Sequence, residues 1–382
     1  MRRVACPPRD NWVEIVEAQG LTYHTHEGKP YWFESARYEF SAREIAELEQ
    51  ATNDLHALCL SAIDEIFARD WLERLHIPAK FHDLMRRSWD DDPPAIYGRF
   101  DLAYSGEGPP KLLEYNADTP TSLLEAAVIQ WRWLADLHPE ADQFNSVWEG
   151  LVEKWAALKD EGFFPDGCVH FAHERAWEDL MTITLLRDSA EAAELQTRAL
   201  HMDEIGWNEG TRRFVDASGE EIETLFKLYP WEQMLDDPFM EFVLESYPRP
   251  HWMEPAWKLL LSNKAILPIL WELAPGHPNL LPAYDDGPRD LTEFVKKPVF
   301  SREGQNIAIT TSDAQHYQPG EYDEGKSVWQ SYARLPEFGG NHAVIGSWVI
   351  DGEARGIGVR ESDTPITTDL ARFVPHLIVG DE

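Results

Sequence analysis

Apolar residues recur at helical spacing through SAREIAELEQATNDLHALCLSAIDEIFA, residues 41–68, and predict one long amphipathic packing helix. Ser41 with Glu44 three positions on is a capping box that sets its start. FHDLMRRSWDDDPPAIYGRF predicts another helix, broken at Pro93–Pro94. Two more helices are predicted by SLLEAAVIQWRWLADL, with a Trp-rich core face, and by FNSVWEGLVEKWAALKDEG, ending near Gly162. The pattern then alternates: GCVHFAHE reads as a strand, RAWEDLMTITLLRDSAEAAEL as a helix and QTRALHMDEIG as a strand with its exit. That rhythm predicts an α/β lobe. Toward the C-terminus, FVKKPVF and the residues after its loop predict two strands, SVWQSYARLP a further strand, and AVIGSWVIDGEARGIGVRES a strand pair turning at Asp351–Gly352, a type I′ signal. Residues 1 to about 40 predict an irregular or short-stranded cap, and the tail to Glu382 a closing edge.

The most informative alternation is YGRFDLAYSGEGPPKLLEYNADTPTSL, from Tyr97 to Leu123. It predicts a hairpin whose Ser105–Pro110 turn joins a strand carrying Arg99 and Asp101 to one carrying Glu114 and Asn116. Side chains two apart share a face. If both polar faces coincide, two acids and an amide converge beside a guanidinium. Hard oxygen donors of this kind suit Mg²⁺, and an arginine alongside suits charge on a transferring phosphoryl group. An ordinary surface hairpin with a cross-strand ion pair gives the same spacing. Asp118, Thr119, Pro120, Thr121 and Ser122 then form a polar loop into a helix, expected to bring hydroxyls and free backbone N–H groups beside the metal.

Composition narrows the class. At 382 residues, 43% hydrophobic and 27% charged, the chain is a folded globular protein of two or three lobes. A net charge of −34 argues against a nucleic-acid partner and tolerates cations, Mg²⁺ and polyamines among them. Cys6, Cys59 and Cys168 stand far apart without metal or disulfide spacing, and Cys59 reads as a small buried apolar residue. MRRVACPPRDNW has no apolar run after its arginines, and no stretch approaches the roughly 20 apolar residues of a membrane span. The expected setting is cytoplasmic, with no membrane partner. Neither GxGxxG nor GxxxxGK[ST] occurs. His56 reads as a tolerated helix residue. Lys227 precedes an aromatic cluster, Lys264 opens a helix toward Glu272, and Lys297 ends a strand before the loop Ser301–Gly304. A lysine followed by a small-residue hairpin loop is one way to close a flap over phosphates, though lysines in helices are usually solvated.

Taken together, YGRFDLAY, LLEYNADTPTSLLEA, LFKLYPWE, EPAWKLLLSNKAILPILWE, VKKPVFSREG and GIGVRE resemble the synthetase part of the glutathionylspermidine synthase family, over nearly the whole chain and in the family's order. The resemblance implies an α/β (α+β), circularly permuted ATP-grasp-like fold with an additional pre-ATP-grasp-like lobe. It implies an ATP-dependent carboxylate–amine ligase acting through an acyl phosphate, with ATP and two Mg²⁺ ions as cofactors. Its partners would be a small-molecule or short-peptide carboxylate and an amine, such as a polyamine. By position, Asp101, Glu114 and Asn116 match the metal ligands and Arg99 the catalytic arginine. Lys264 and Lys297 match the lysines on the ATP phosphates, and Gln330, Ser331, Tyr332 and Ala333 the adenine-side hinge. Thr119, Thr121, Glu178, Arg302 and Arg360 match substrate-side positions. The implied division is 1–95, N-terminal cap and helices; 96–250, metal-site hairpin and α/β substrate lobe; 251–382, ATP flap, hinge and C-terminal strands; together one synthetase unit.

Two departures stand out. The chain leaves no room for the amidase domain of bifunctional members, and Cys6 does not resemble its nucleophile. Threonines also stand where the substrate loop of the family carries serines, which leaves the acid and amine open: glutathione and spermidine, or another peptide or amino-acid carboxylate and an amine on a stand-alone ligase. The alternative is a catalytically degenerate ATP-grasp protein acting as a nucleotide-binding sensor.

Overall fold

The computed structural model describes residues 1–26, 28–322 and 325–380. Its longest helix is Ala42–Ala68, with the capping box formed as the sequence predicts: Ser41 Oγ accepts the Glu44 N–H, and the Ser41 N–H donates to the Glu44 carboxylate at 2.8 Å. The Met1 ammonium pairs with Glu44 as well, tying the chain's start to this helix. The buried stripe of the helix includes Leu48, Leu55, Cys59, Ile63 and Ile66. It covers one face of an antiparallel sheet, where Thr52 and Ser347 share a buried hydrogen bond of 2.7 Å.

That sheet runs Arg372–Val374, Glu353–Ser362, Asn341–Ile350, Tyr97–Ala103, Lys111–Asn116, with Glu337–Phe338 also paired to Asn341–Ile350. Asp351 and Gly352 have φ of 50° and 79°, both left-handed, as a type I′ hairpin turn requires. Phe100 and Leu102 pack in the core under the long helix. On the opposite face, Tyr97 stacks on Trp348 at 6.2 Å in a second core that includes the helix Val147–Asp160. The alternation that sends Phe100 and Leu102 to one side therefore sends Arg99 and Asp101 to the other, at the edge of that second core.

Two further sheets flank this one. Four parallel strands, ordered His251–Met253, Thr224–Leu228, Cys168–His173, Gln196–His201, include the crossover through the helix Trp177–Ala192 that the strand–helix–strand rhythm predicts. An antiparallel sheet runs Ala283–Tyr284, Ser327–Ser331, Phe294–Pro298, Ala308–Thr310, Gln315–Tyr317. The strand expected to continue past Ser331 stops there, because Phe294, the first residue of its partner strand, lies opposite Ser331. Tyr332 and Ala333 are therefore irregular backbone. The C-terminal strand His376–Val379 closes an edge beside Ala36–Ser41. The helix expected over 122–137 is not uniform: Glu125–Ile129 is a π-type turn that passes into the α-helix Gln130–Leu137. Such turns often sit at functional sites. Among the described residues, no helix is long and apolar enough to cross a membrane.

Candidate active site

In the Tyr97–Asn116 hairpin, Arg99 lies opposite Asn116 and Asp101 opposite Glu114, with a bulge between Asp101 and Leu102. The two polar faces coincide. Arg99 Nε donates to Asp101 Oδ1 at 2.8 Å, and Arg360, from the strand Glu353–Ser362, donates to Asp101 Oδ2. Asn116 Nδ2 lies 3.4 Å from both Asp101 Oδ2 and Glu114 Oε1. Lys264 Nζ is 3.2 Å from Glu114 Oε2. Gly346 sits opposite Asp101 on the adjoining strand, and a Cβ there would stand 2.8 Å from Arg99 Cδ, so the missing side chain makes room for the guanidinium stem. Burial alone would raise the pKa of Asp101, but Arg360 and Arg99 hold it down at about 2. Glu114 follows the same rule: burial pushes it up and Asp101 repels it, yet Lys264 and Lys297 leave it below the ordinary range.

The lysines are buried, not solvated. Lys264 donates its backbone N–H to Val299 O at 3.1 Å and its ammonium to Ser301 O, so it braces the loop after Phe294–Pro298. Lys297 Nζ donates to Leu113 O at 2.9 Å and to Gln330 Oε1 at 2.8 Å, while Gln330 Nε2 donates to Leu112 O at 2.9 Å. Burial, with Lys264 nearby, outweighs Glu114 and brings Lys297 down to about 8. Asp101, Glu114, Lys297 and the Gln330–Ala333 segment all line one cleft with apolar walls that include Val295, Ile309, Val344 and Ile366.

The loop after the hairpin differs from its expected form. The Ala117 and Asp118 N–H groups are not free; both donate to Ser262 Oγ, at 3.0 and 2.9 Å. Asp118 turns away from the acids into the interior, where Lys227 donates to one oxygen and the Trp231 N–H to the other, each at 2.8 Å. Thr119 Oγ1 accepts from Arg302 Nη1 at 2.8 Å, and Thr121 O from Arg99 Nη1 at 2.6 Å. Ser122 has a left-handed φ of 66°, and its hydroxyl meets Tyr31 Oη at 3.0 Å. Glu178, in the first turn of Trp177–Ala192, is removed from the Asp101 pair and faces Glu125, Glu303 and Asp179. Burial and these acids raise Glu178 to about 7; burial and Glu174 raise Asp179 to about 7, against Arg302.

A family model described as glutathionylspermidine synthase preATP-grasp matches residues 3–379. The chain belongs to the glutathionylspermidine synthase family. A Haemophilus influenzae protein named "Putative acid–amine ligase" is 38% identical to it, over 99% of this chain and 100% of its own length. Trypanothione synthetase of Crithidia fasciculata is 30% identical over 86% of this chain and 54% of its own. The bifunctional glutathionylspermidine synthetase/amidase of Escherichia coli is 28% identical over 90% and 59%. The chain thus spans a little over half the length of those last two relatives. A solved glutathione-synthetase-like effector from Globodera pallida shares the fold, with a TM-score of 0.59 at 9% identity over 98% of both chains. As a member of this family the chain is a ligase of the acid–amine type.

For a glutathionylspermidine synthase family chain, the sequence reading left three site groups without a role. Glu125 is buried and opens the π-type turn; burial raises its pKa, against its hydrogen bond with Tyr31 and the charges of Arg99 and Arg360. Glu232 accepts from Arg302 at 2.7 Å. Lys227 finds Asp118, 109 residues away in sequence. Only Lys227 gave a signal, as the one charge inside LFKLYPW. Among the described residues, no three His, Cys, Asp or Glu side chains gather as a metal site; Asp101 and Glu114 are a pair of acids with the Asn116 amide between them.

Proposed function

We propose that the chain is an ATP- and Mg²⁺-dependent ligase that activates a carboxylate as an acyl phosphate and passes the acyl group to an amine, on a circularly permuted ATP-grasp arrangement. The observation that carries this reading is one polar cluster: Arg99, Arg360 and Asn116 meet Asp101, Lys264 meets Glu114, and both acids line a cleft with Lys297.

The donor set fits a hard divalent cation. Oxygens of both acids lie 3.4 Å from one amide nitrogen, and a half-turn of the Asn116 amide presents its oxygen there instead. When bound, Mg²⁺ would neutralise phosphate charge. Lys297 and Lys264 would hold phosphate oxygens, the lysines giving up their carbonyl and carboxylate partners. The Gln330–Ala333 segment would lie against the adenine; its Ser331 and Tyr332 N–H groups are already held by Pro282 O and Glu293 O, at 2.7 and 3.1 Å, which fixes its course along the cleft. Arg99 and Arg360 would steady the charge that develops as the phosphoryl group moves, and Arg302 would approach from the loop above. Thr119 and Thr121 would orient the acid.

Glu178, with Asp179, would receive the amine. A carboxyl pair titrating near 7 can accept a proton from an ammonium group, which must lose one before attacking. Glutathione and spermidine, suggested by the names of the relatives, are the first pair to try. The test is ADP release over pairs of carboxylates and amines with ATP and Mg²⁺. Release that needs both partners is expected; no release with any pair, or equal release without an amine, would sink the reading.

A further inference from the structure

Four side chains behind the substrate loop form a path to the loop that closes over it. Lys227 and Asp118 are both fully buried and paired at 2.8 Å, with the ammonium also held by Tyr229 O. The second Asp118 oxygen takes the Trp231 N–H, at the first residue of the short helix Trp231–Met234. The next residue, Glu232, accepts from Arg302 Nε and Nη2 at 3.1 and 2.7 Å, and Arg302 returns to Thr119, the neighbour of Asp118. The path therefore starts and ends on the loop 118–122, and passes through the loop 299–307.

We propose that the Lys227–Asp118 pair is a positioning device that fixes Thr119 and, through Trp231 and Glu232, sets where Arg302 sits above the cleft. It touches no reacting group in this reading. Its effect on turnover rests on the proposed ligase function, but its effect on the two loops does not. A charged pair is used here because carboxylate and ammonium together hold the backbone of one turn at two points, Tyr229 O and the Trp231 N–H, while each satisfies the other.

The test is backbone amide exchange on the full chain, wild type against Asp118→Asn/Lys227→Met and against Glu232→Gln. The double variant removes both charges, so neither is left buried alone. Exchange in the double variant is expected to rise tenfold or more at 119–122 and also at 299–307, which Lys227 does not touch, with the strand Tyr97–Ala103 unchanged. Glu232→Gln should loosen 299–307 alone. A rise confined to 119–122, no rise at either loop, or a uniform rise through the chain would overturn the proposal. With an acid identified by ADP release, its KM should increase about tenfold in both variants while the KM for ATP stays within twofold; equal changes in both constants would overturn it as well. If wild type releases no ADP with any pair, the ligase reading fails, and the exchange comparison still decides this proposal.

Discussion

Asp101 stays ionised although buried, because Arg99 and Arg360 both donate to it. Truncating it would leave two guanidinium groups without their shared acceptor, and breaking a buried pair this way costs about 3–5 kcal/mol. Asp101→Asn keeps the shape and an acceptor. It and Glu114→Ala are expected to lower ADP release about 100-fold or more. Full turnover in either variant would remove that side chain from the proposed metal site. Lys297 presents a different test, since its ammonium titrates at about 8 in the ligand-free protein. Its charge is present below that pH and lost above it, so calorimetric ATP affinity should weaken as pH rises through 8. Lys297→Ala should bind ATP about tenfold more weakly or worse at pH 7 and flatten that dependence. Unchanged affinity would argue against a phosphate contact.

At the scale of elements, the site depends on strands with space between them. Gly346→Ala adds one methyl group 2.8 Å from Arg99 Cδ, with no change of charge and no left-handed backbone to strain. Arg99 must shift, and displacing a reacting-centre group by about 1 Å can cost on the order of 100-fold in rate. We expect a 10- to 100-fold lower turnover with the melting temperature nearly kept; wild-type turnover would mean that the position of Arg99 does not matter. Ser41→Ala is the contrast, since it should cost about 1 kcal/mol through the lost cap and leave turnover alone. What was legible in the sequence follows the same division. Period-two alternation put Arg99 with Asp101 and Glu114 with Asn116, and the capping box placed the long helix, because both signals are local; that the two polar faces coincide came from the strand pairing. The inward turn of Asp118 and the end of the strand at Ser331 depend on partners far along the chain, Lys227 and Phe294, so no local pattern carries them. Arg360 and Lys264 took their roles only from resemblance to a family, whereas Lys297 also drew a phosphate-flap reading from the small-residue loop after it.

Over the whole molecule, buried titratable groups pull stability in two directions. His56 and His251 fall to about 4 and His376 to about 3, each chiefly through burial. Unfolded histidines take up protons near 6.5 and these do not, so their contribution is lost as pH drops from about 6.5 toward 4. Glu178 and Asp179 work oppositely. Their folded carboxyls hold protons up to about 7, while unfolded ones release them near 4, so their favourable contribution is full below about 4 and gone once pH rises through 7. Above that pH the fold carries two poorly compensated charges at the start of Trp177–Ala192, with Glu303 near both. Under the proposed amine-site reading, such a cost has a reason, since stability is commonly given up where function needs charge. Glu178→Gln/Asp179→Asn should therefore be more stable than wild type at pH 8, by about 1 kcal/mol or more, with the gap narrowing toward zero as pH falls to about 4, as urea melts at the two pH values would measure. The same variant should keep its ATP affinity and lose amine-dependent ADP release. If it were less stable than wild type at pH 8, the two acids would be contributing to the fold, and the amine would have to be received elsewhere.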